Sequence, residues 1–210
     1  MRSFTNRELI RPAATRFVTA YLTLQSILQS RQPLESMFTS EKWASSAWAN
    51  KSEGKEKRKI ILKDKSSCPS VVYTIKTTKS LVAVLRMVDL EKEPVMGFIY
   101  GAMDKAKEEI AKALGGEEAA YKEIWDIIDE KWDYQLHRPL HAAAYYLNPQ
   151  FHYESGFSVH PEVKIGLFTC MDKLIIDPLD KEKANLQLDA FQGRRGFFGL
   201  PHALTSYKRH

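Results

Sequence analysis

The stretch from Tyr121 to Pro149 constrains the fold more than any other part of the chain, because its apolar residues recur at helical spacing. Spacings of three and four place one set of side chains on a single helical face: Tyr121, Trp125, Ile128, Trp132 and Leu136. Pro139 cannot donate a backbone hydrogen bond, so the first helix is predicted to end before it and a second to start there. Asn148-Pro149 is predicted to end the second helix. Two helices with aromatic faces need neighbouring segments to cover them, and Trp125 and Trp132 are predicted to be buried against the helix around Val95–Ile110.

The remaining apolar residues also follow helical periodicity, and proline and glycine mark the boundaries. Helices are predicted from Pro12 to about Ser30 with Pro33 as the stop, from Ser40 through Trp43 and Trp48, over Val71–Val88, from Pro94 to Gly115-Gly116, from Pro161 and from Pro178. Two of them carry apolar residues predicted to face inward: Val163, Leu167, Cys170, Met171 and Leu174 after Pro161, and Leu179, Leu186 and Phe191 after Pro178. Lys51–Lys65 is predicted to be a charged loop. The expected fold class is therefore mainly α, a bundle of eight or so helices.

The overall composition is that of an ordinary globular chain, with 44% hydrophobic and 27% charged residues among 210. The net charge of +5 is unevenly distributed, since residues 1–79 hold 15 Lys and Arg against 6 Asp and Glu. This basic third favours an acidic partner, nucleic acid before membrane. No apolar run approaches the roughly 18 residues of a membrane span. Two cysteines about a hundred positions apart favour a reducing compartment and give no paired zinc module.

Three patterns resemble catalytic or metal sites, and each has a simpler explanation. Asp133, His137 and His141 have zinc-ligand spacing, but Pro139 interrupts the helix that this geometry needs. A row of acidic side chains is typical of a solvated helical face: Asp126, Asp129, Glu130 and Asp133. Leu174–Asp177 looks like a strand ending in a catalytic aspartate, yet its position before Pro178 favours a helix end. The residues alone predict no enzyme.

Basic residues form the strongest chemical signal in the sequence. Arg11 and Arg16 flank the start of the first predicted helix, beside Phe17, and Lys51, Lys55, Lys57, Arg58 and Lys59 crowd the predicted loop. Such cations neutralise phosphates, and an aromatic ring beside an arginine can stack on an unpaired base. The alternative is a solvated loop and a buried Phe17.

Three long stretches resemble plant hAT-type transposase-like proteins: RELIRPAATRFVTAYLTLQSIL (Arg7–Leu28), LVAVLRMVDLEKEPVMGFIYGAMDKAKEEI (Leu81–Ile110) and IWDIIDEKWDYQLHRPLHAAAYYLNPQFHY (Ile124–Tyr153). The resemblance continues through HPEVKIGLFTCMDKL and LQLDAFQGRRGFFGL. It implies a helical insertion within a ribonuclease H-like core, and DNA transposition by two aspartates and a glutamate that hold Mg²⁺ or Mn²⁺. Arg16-Phe17 matches the family's Arg-Trp motif, whose aromatic is associated with a flipped base at the transposon end. Phenylalanine keeps the π-face and loses the indole N–H.

The stretches that carry the resemblance do not include the family's carboxylate-bearing segments. The chain is therefore expected to be a catalytically incomplete fragment with weak nucleic-acid binding, no cofactor, no membrane partner and no small-molecule substrate. Its expected organisation is N-terminal helices with the Arg-Phe motif (1–50), the basic loop (51–68), an insertion-like helical domain (69–192) and a tail (193–210). DNA, a full-length hAT-like protein or a second copy are the expected partners, and a nuclear location is favoured over a cytoplasmic one. The alternatives are a protein-interaction module without DNA, or part of an active transposase whose remaining segments lie elsewhere in the gene.

Overall fold

The described residues of the computed structural model are 4, 8–11, 17–63, 67–89, 95–136, 138–155, 157 and 160–206. Within these ranges the chain is mainly helical and contains no strand, which confirms the predicted mainly α class, although these ranges hold twelve α-helices where eight or so were predicted. The helices are α1 (Phe17–Gln29), α2 (Arg31–Thr39), α3 (Glu41–Ala44), α4 (Ser52–Lys63), α5 (Ser67–Asp89), α6 (Ile99–Ala113), α7 (Glu118–Lys131), α8 (Pro139–Tyr146), α9 (Pro149–His152), α10 (Pro161–Leu174), α11 (Pro178–Gln192) and α12 (Pro201–Ser206). Short 3₁₀ turns cover Val95–Gly97 and Gly196–Gly199, and a π-helical turn covers Trp132–Leu136.

The chain divides into two compact units. The first comprises Met1–Ala83 and Ile110–Ala120, and the second comprises Val84–Glu109 and Tyr121–His210. None of the helices in the described ranges combines the length and the apolar character that crossing a bilayer requires.

In the first unit, α1 ends close to the predicted end at about Ser30, but the prediction that Pro33 stops it is wrong. The helix stops at Gln29, and Pro33 lies in the first turn of α2. A proline is tolerated there because the N–H groups of a first helical turn have no partner within the helix. Ser40 caps α3 as the sequence predicts, since its hydroxyl accepts a hydrogen bond from Trp43 N at 3.2 Å.

The segment predicted as a charged loop, Lys51–Lys65, contains α4 over Ser52–Lys63. Its lysines, arginine and glutamates are good helix formers, and Ile60, Ile61 and Leu62 give the helix apolar residues to pack. Ile61 and Leu62 pack against the small core of this unit, which consists of Leu34, Met37 and Phe38. The loop prediction is wrong, because a charge-rich segment of good helix formers forms a helix when its apolar residues have a core to pack against.

Helix α5 confirms the preference for helix over strand after Val71, and at 23 residues it is longer than predicted. The predicted helix start at Pro94 lies outside the described residues, and α6 begins at Ile99. Gly115-Gly116 ends α6 as predicted, with φ of 94° and 81°. Both lie in the left-handed region that glycine adopts at helix C-termini, and Gly116 N donates to Ala111 O at 2.9 Å.

The stretch that opens at Tyr121 forms α7, the π-helical turn, α8 and α9. Pro139 occupies the first turn of α8, and Asn148 lies between α8 and α9, accepting a hydrogen bond from Gln150 N at 3.0 Å. Trp125 and Trp132, predicted to pack on the helix around Val95–Ile110, do contact α6 but are half-buried. Trp125 Nε1 donates to Lys107 O at 3.1 Å, and the Trp132 ring meets the Tyr100 ring edge to face at 5.7 Å.

The core of the second unit lies between α8 and α10. Its buried members are Tyr100, Ala143, Tyr146, Val163, Leu167, Cys170, Met171 and Phe191. Gly166 is buried in α10, and a Cβ on it would lie 2.6 Å from Ala142 Cβ. The two helices therefore approach each other through small residues.

Some apolar residues predicted to face inward in this unit are exposed. Leu174 is 74% exposed, Leu179 66% and Leu186 64%, whereas Phe191 is buried as expected. Leu174 is the last residue of α10, where the chain leaves the core, and Ile176 after it is 91% exposed. Asp177 caps α11 by accepting hydrogen bonds from Leu179 N and Asp180 N, which confirms the predicted helix end over a strand.

Candidate nucleic-acid interface

The basic residues predicted from sequence come together on α4 and at its start. Lys51 precedes the helix, and Lys55, Lys57, Arg58 and Lys59 lie within it, all of them exposed. Lys51, Lys55 and Lys59 follow one another at intervals of four residues and Arg58 lies three residues after Lys55, so these four form one stripe along the helix. We call these four residues the basic stripe.

No ion pair involves the basic stripe among the residues that the structure describes. Like charges at intervals of four destabilise a helix by about 0.2–0.5 kcal/mol per pair. The stripe therefore slightly weakens the helix that displays it. An anionic ligand would reverse this repulsion and gain charge-assisted contacts.

An aromatic ring lies beside the stripe, and sequence reasoning did not assign it to the site. Trp48 is 56% exposed, and Lys51 Nζ lies 4.3 Å from its ring centroid. A cation over a tryptophan face is attracted by the ring quadrupole. The sequence predicted Trp48 only as part of a helix. Its position three residues before Lys51 is the sequence feature that could have assigned it to the site.

Gly54 fixes the first turn of α4 against the chain at Trp48. A Cβ on Gly54 would lie 2.0 Å from Trp48 O, a distance that no packing adjustment of a side chain relieves. Lys51 N also donates to Trp48 O at 3.2 Å. The backbone at Trp48 is therefore held directly against the helix that carries the stripe.

The other predicted nucleic-acid residues lie in the N-terminal segment. Arg11 is exposed in an irregular part of the chain. Arg16 lies outside the described residues, and Phe17 is the first residue of α1. Base stabilisation by Arg16-Phe17 thus remains a prediction.

The metal-like patterns form no metal centre in the described part of the chain, where no three His, Cys, Asp or Glu side chains converge. His137, the middle residue of the zinc-like spacing, lies outside it. The acidic row on α7 is engaged in ion pairs: Asp129 with Lys107 at 2.6 Å, Asp126 with Lys122 at 4.0 Å and Glu130 with Lys131 at 2.9 Å. Asp129 therefore links α7 to α6 through an ion pair. This contact differs from the predicted solvated helical face, whose side chains would contact only water.

Tyr100, which is buried, and His152, which is half-buried, have shifted pKa values in the second unit. Tyr100 donates a hydrogen bond to the Glu162 carboxylate, and burial first, then this bond, raises the pKa of its phenol. Burial lowers the pKa of His152, and the nearby Arg194 lowers it further, while an interaction with the Tyr146 backbone acts in the opposite direction. The His152 ring lies 4.7–5.4 Å from the rings of four neighbours: Tyr146, Tyr153, Phe157 and Phe191. The aromatic rings around His152 account for the burial that lowers its pKa.

Comparisons of the chain with protein-family models, with curated proteins and with solved structures find no match.

Proposed function

We propose that this chain binds nucleic acid weakly and without strong sequence preference, through the basic stripe of α4 and the neighbouring Trp48. The observation that carries the proposal is a row of four exposed cations without ion pairs in the described residues, beside an exposed indole ring. Cations along a groove or ridge neutralise phosphates, and an exposed aromatic ring stacks on unpaired bases of any identity. The basic balance of residues 1–79 adds a longer-range attraction.

The sequence resemblance to hAT-type proteins also supports nucleic-acid binding, independently of the basic stripe. Arg16-Phe17 matches the family motif associated with a flipped base, and Phe17 belongs to α1. We propose that the chain is a catalytically incomplete relative of these transposases that retains only DNA contact. It then requires no metal, and incubation with supercoiled plasmid and Mg²⁺ or Mn²⁺ leaves the plasmid intact. Metal-dependent nicking that copurifies with the protein would contradict this part.

The binding proposal is tested by fluorescence anisotropy on duplex DNA at several salt concentrations. Each released phosphate contact contributes a slope of about −0.9 in log K against log[salt]. Replacing the four residues of the basic stripe, Lys51, Lys55, Arg58 and Lys59, together by glutamine should flatten the slope by about 2–4, depending on how many of them touch phosphate. Glutamine keeps the helix propensity of the segment, so α4 should persist in circular dichroism spectra.

A second quadruple variant is the matched control. Lys105, Lys164, Lys173 and Lys183 are exposed lysines of the second unit, and replacing them by glutamine changes the net charge by the same amount. The control should lower affinity modestly through net charge and leave the slope nearly unchanged. Equal slopes for the two variants, or no salt-dependent binding of the wild-type chain at low ionic strength, would reject the basic stripe as the interface.

The alternative function, a protein-interaction module, is favoured by one different observation. Leu174, Ile176 and Leu179 lie within six residues at the end of α10 and the start of α11, and all three are exposed. A contiguous exposed apolar patch is a common mark of an association surface. Sedimentation of the wild-type chain and of a variant with serine at all three positions tests the protein-interaction function. This function predicts that the wild-type chain self-associates and that the variant does not.

A further inference from the structure

The first unit contains a cavity of about 550 Å³ on the inner side of α4. Its walls come from α1, α2, α4 and the chain around Trp43 and Trp48, and almost all of its lining is apolar. The cavity reaches the surface, since Trp48 and Ile60 line it and are 56% and 40% exposed. Its size falls within the range of about 300–1,000 Å³ typical of small-molecule sites.

The packing around this cavity is incomplete for a protein core. Among the described residues, the buried cluster beside the cavity consists of Leu34, Met37 and Phe38, and all three also line the cavity. Protein interiors are normally packed as densely as organic crystals, with few voids larger than a water molecule. An apolar void offers water too few hydrogen-bond partners, so an apolar ligand is the favoured occupant.

Three charged side chains line the cavity and define the chemistry of a ligand that fits. Arg31 Nε is held by Glu35 Oε1 at 2.8 Å, so much of its charge is already matched. Glu53 and Lys57 lie four residues apart on α4, and neither makes an ion pair within the described ranges. Lys57 therefore offers a cation beside an apolar space. Lys55, Arg58 and Lys59 of the basic stripe lie within two residues of it on the same helix, which is within a Debye length of about 8 Å along the helix axis.

We propose that this cavity binds one linear alkyl chain that ends in an anionic group, with the alkyl chain among the apolar side chains and the anion at Lys57. Glu53 lies one turn before Lys57 on the same face of α4, so an anion is expected to contact Lys57 on the side away from Glu53. The basic stripe adds a positive potential that favours an anion over a cation. The proposal departs from the sequence-based expectation of no small-molecule ligand, and it does not rest on nucleic-acid binding.

Titration calorimetry with octanoate, decanoate and dodecanoate, all below their micelle concentrations, tests the alkyl part. Each buried methylene contributes about 0.8 kcal/mol, so affinity should rise about fourfold per added methylene until the cavity is full. Dodecan-1-ol should bind more weakly than dodecanoate, and dodecyltrimethylammonium more weakly still. Equal affinities along the chain-length series, or tighter binding of the cationic amphiphile, would overturn the proposal.

Two substitutions on α4 test the headgroup assignment. Lys57→Gln should weaken dodecanoate about tenfold, the usual worth of a charge-assisted hydrogen bond, and leave dodecan-1-ol unchanged. Lys55→Gln is the matched control, because Lys55 lies two residues away on the same helix and does not line the cavity. Equal losses for the two variants would show a general charge effect and overturn the assignment.

A cavity-filling substitution separates the site from nonspecific adsorption of amphiphiles. Leu28→Trp should occupy part of the void, abolish the chain-length dependence and leave the helical circular dichroism spectrum intact. The smaller substitution Val71→Leu, at another lining position, should weaken dodecanoate more than octanoate. If both variants fold and bind dodecanoate as the wild-type chain does, the ligand lies elsewhere and the proposal fails.

Discussion

Ala142 and Gly166 lie so close together that the missing side chain of Gly166 defines the distance between α8 and α10. A Cβ on Gly166 would lie 2.6 Å from Ala142 Cβ and 3.3 Å from Pro139 O. Ala142 is 0% exposed and Val163, one turn before Gly166, is also 0% exposed. This contact between α8 and α10 therefore depends on one hydrogen atom in place of a methyl group.

Gly166→Ala should destabilise the protein by about 1–3 kcal/mol, the usual cost of overpacking. The helix propensity of alanine, about 1 kcal/mol better than that of glycine, offsets only part of this cost. Urea unfolding followed by circular dichroism measures the difference. A double-mutant cycle with Ala142→Gly is the control, because removing the opposing methyl group should relieve the clash. A stability gain in Gly166→Ala would show that α8 and α10 lie further apart than described.

Trp132→Ala should lower the free energy of unfolding by about 3 kcal/mol, the low end of the range for core aromatic residues. The indole is half-buried and packs edge to face on Tyr100, a buried member of the core. Thermal unfolding should show a lowered midpoint. Tyr134→Ala is the matched control, since that ring lies two residues away and is 80% exposed. Similar midpoints for Trp132→Ala and the wild-type chain would contradict the described packing.

Acidification should destabilise the protein through His152. Its folded-state pKa is lowered from 6.5, so the unfolded chain binds the proton more tightly than the folded chain. The stabilisation from the neutral imidazole is complete above about pH 6.5 and is lost as the pH falls below that value. Its Nδ1 atom has no hydrogen-bond partner among the described residues, so protonation would leave a buried charged donor unsatisfied.

Urea unfolding between pH 5 and pH 7.5 measures this dependence. His152→Phe removes the titration and keeps an aromatic ring, so its stability should change less with pH over that interval. His202→Gln, at an exposed histidine, should retain the wild-type pH dependence. Identical pH profiles for the wild-type chain and His152→Phe would assign the effect to other groups.

Trp48→Ala should weaken binding to single-stranded DNA by about 1–3 kcal/mol, the usual worth of one base-stacking ring. Its effect on the salt slope should be small, because the indole carries no charge. Phe17→Ala is predicted to act similarly on a substrate with an unpaired base, whereas a purely structural Phe17 would lower thermal stability and affect all DNA substrates alike. Tyr134→Ala, with an exposed ring in the other unit, should bind as the wild-type chain does.

Local patterns in the sequence predicted most helix boundaries. Pro139, Pro161 and Pro178 begin helices, and Gly115-Gly116 ends one. These residues act through their own backbone restrictions, so their effects can be inferred without knowledge of the tertiary structure.

Features that depend on contacts between distant residues escaped prediction. The ion pair of Asp129 with Lys107 joins two helices, and the exposure of Leu174 depends on where α10 leaves the core. A charge-rich segment such as α4 is helical partly because Ile61 and Leu62 find a core formed by α2. The candidate interface was predicted as a set of cations, whereas its arrangement as a stripe beside Trp48 required the fold.

The residue types that can replace Gly115 and Gly116 are limited by the left-handed backbone conformation of these positions and not by steric contact with neighbouring atoms. No atom lies within 4 Å of a Cβ built on either residue, yet both have a positive φ. An L-residue there is strained by its own backbone, whereas a D-residue prefers this region as its mirror-image ground state. A semisynthetic chain with D-alanine at either position should therefore gain stability, because its unfolded state has fewer conformations to lose.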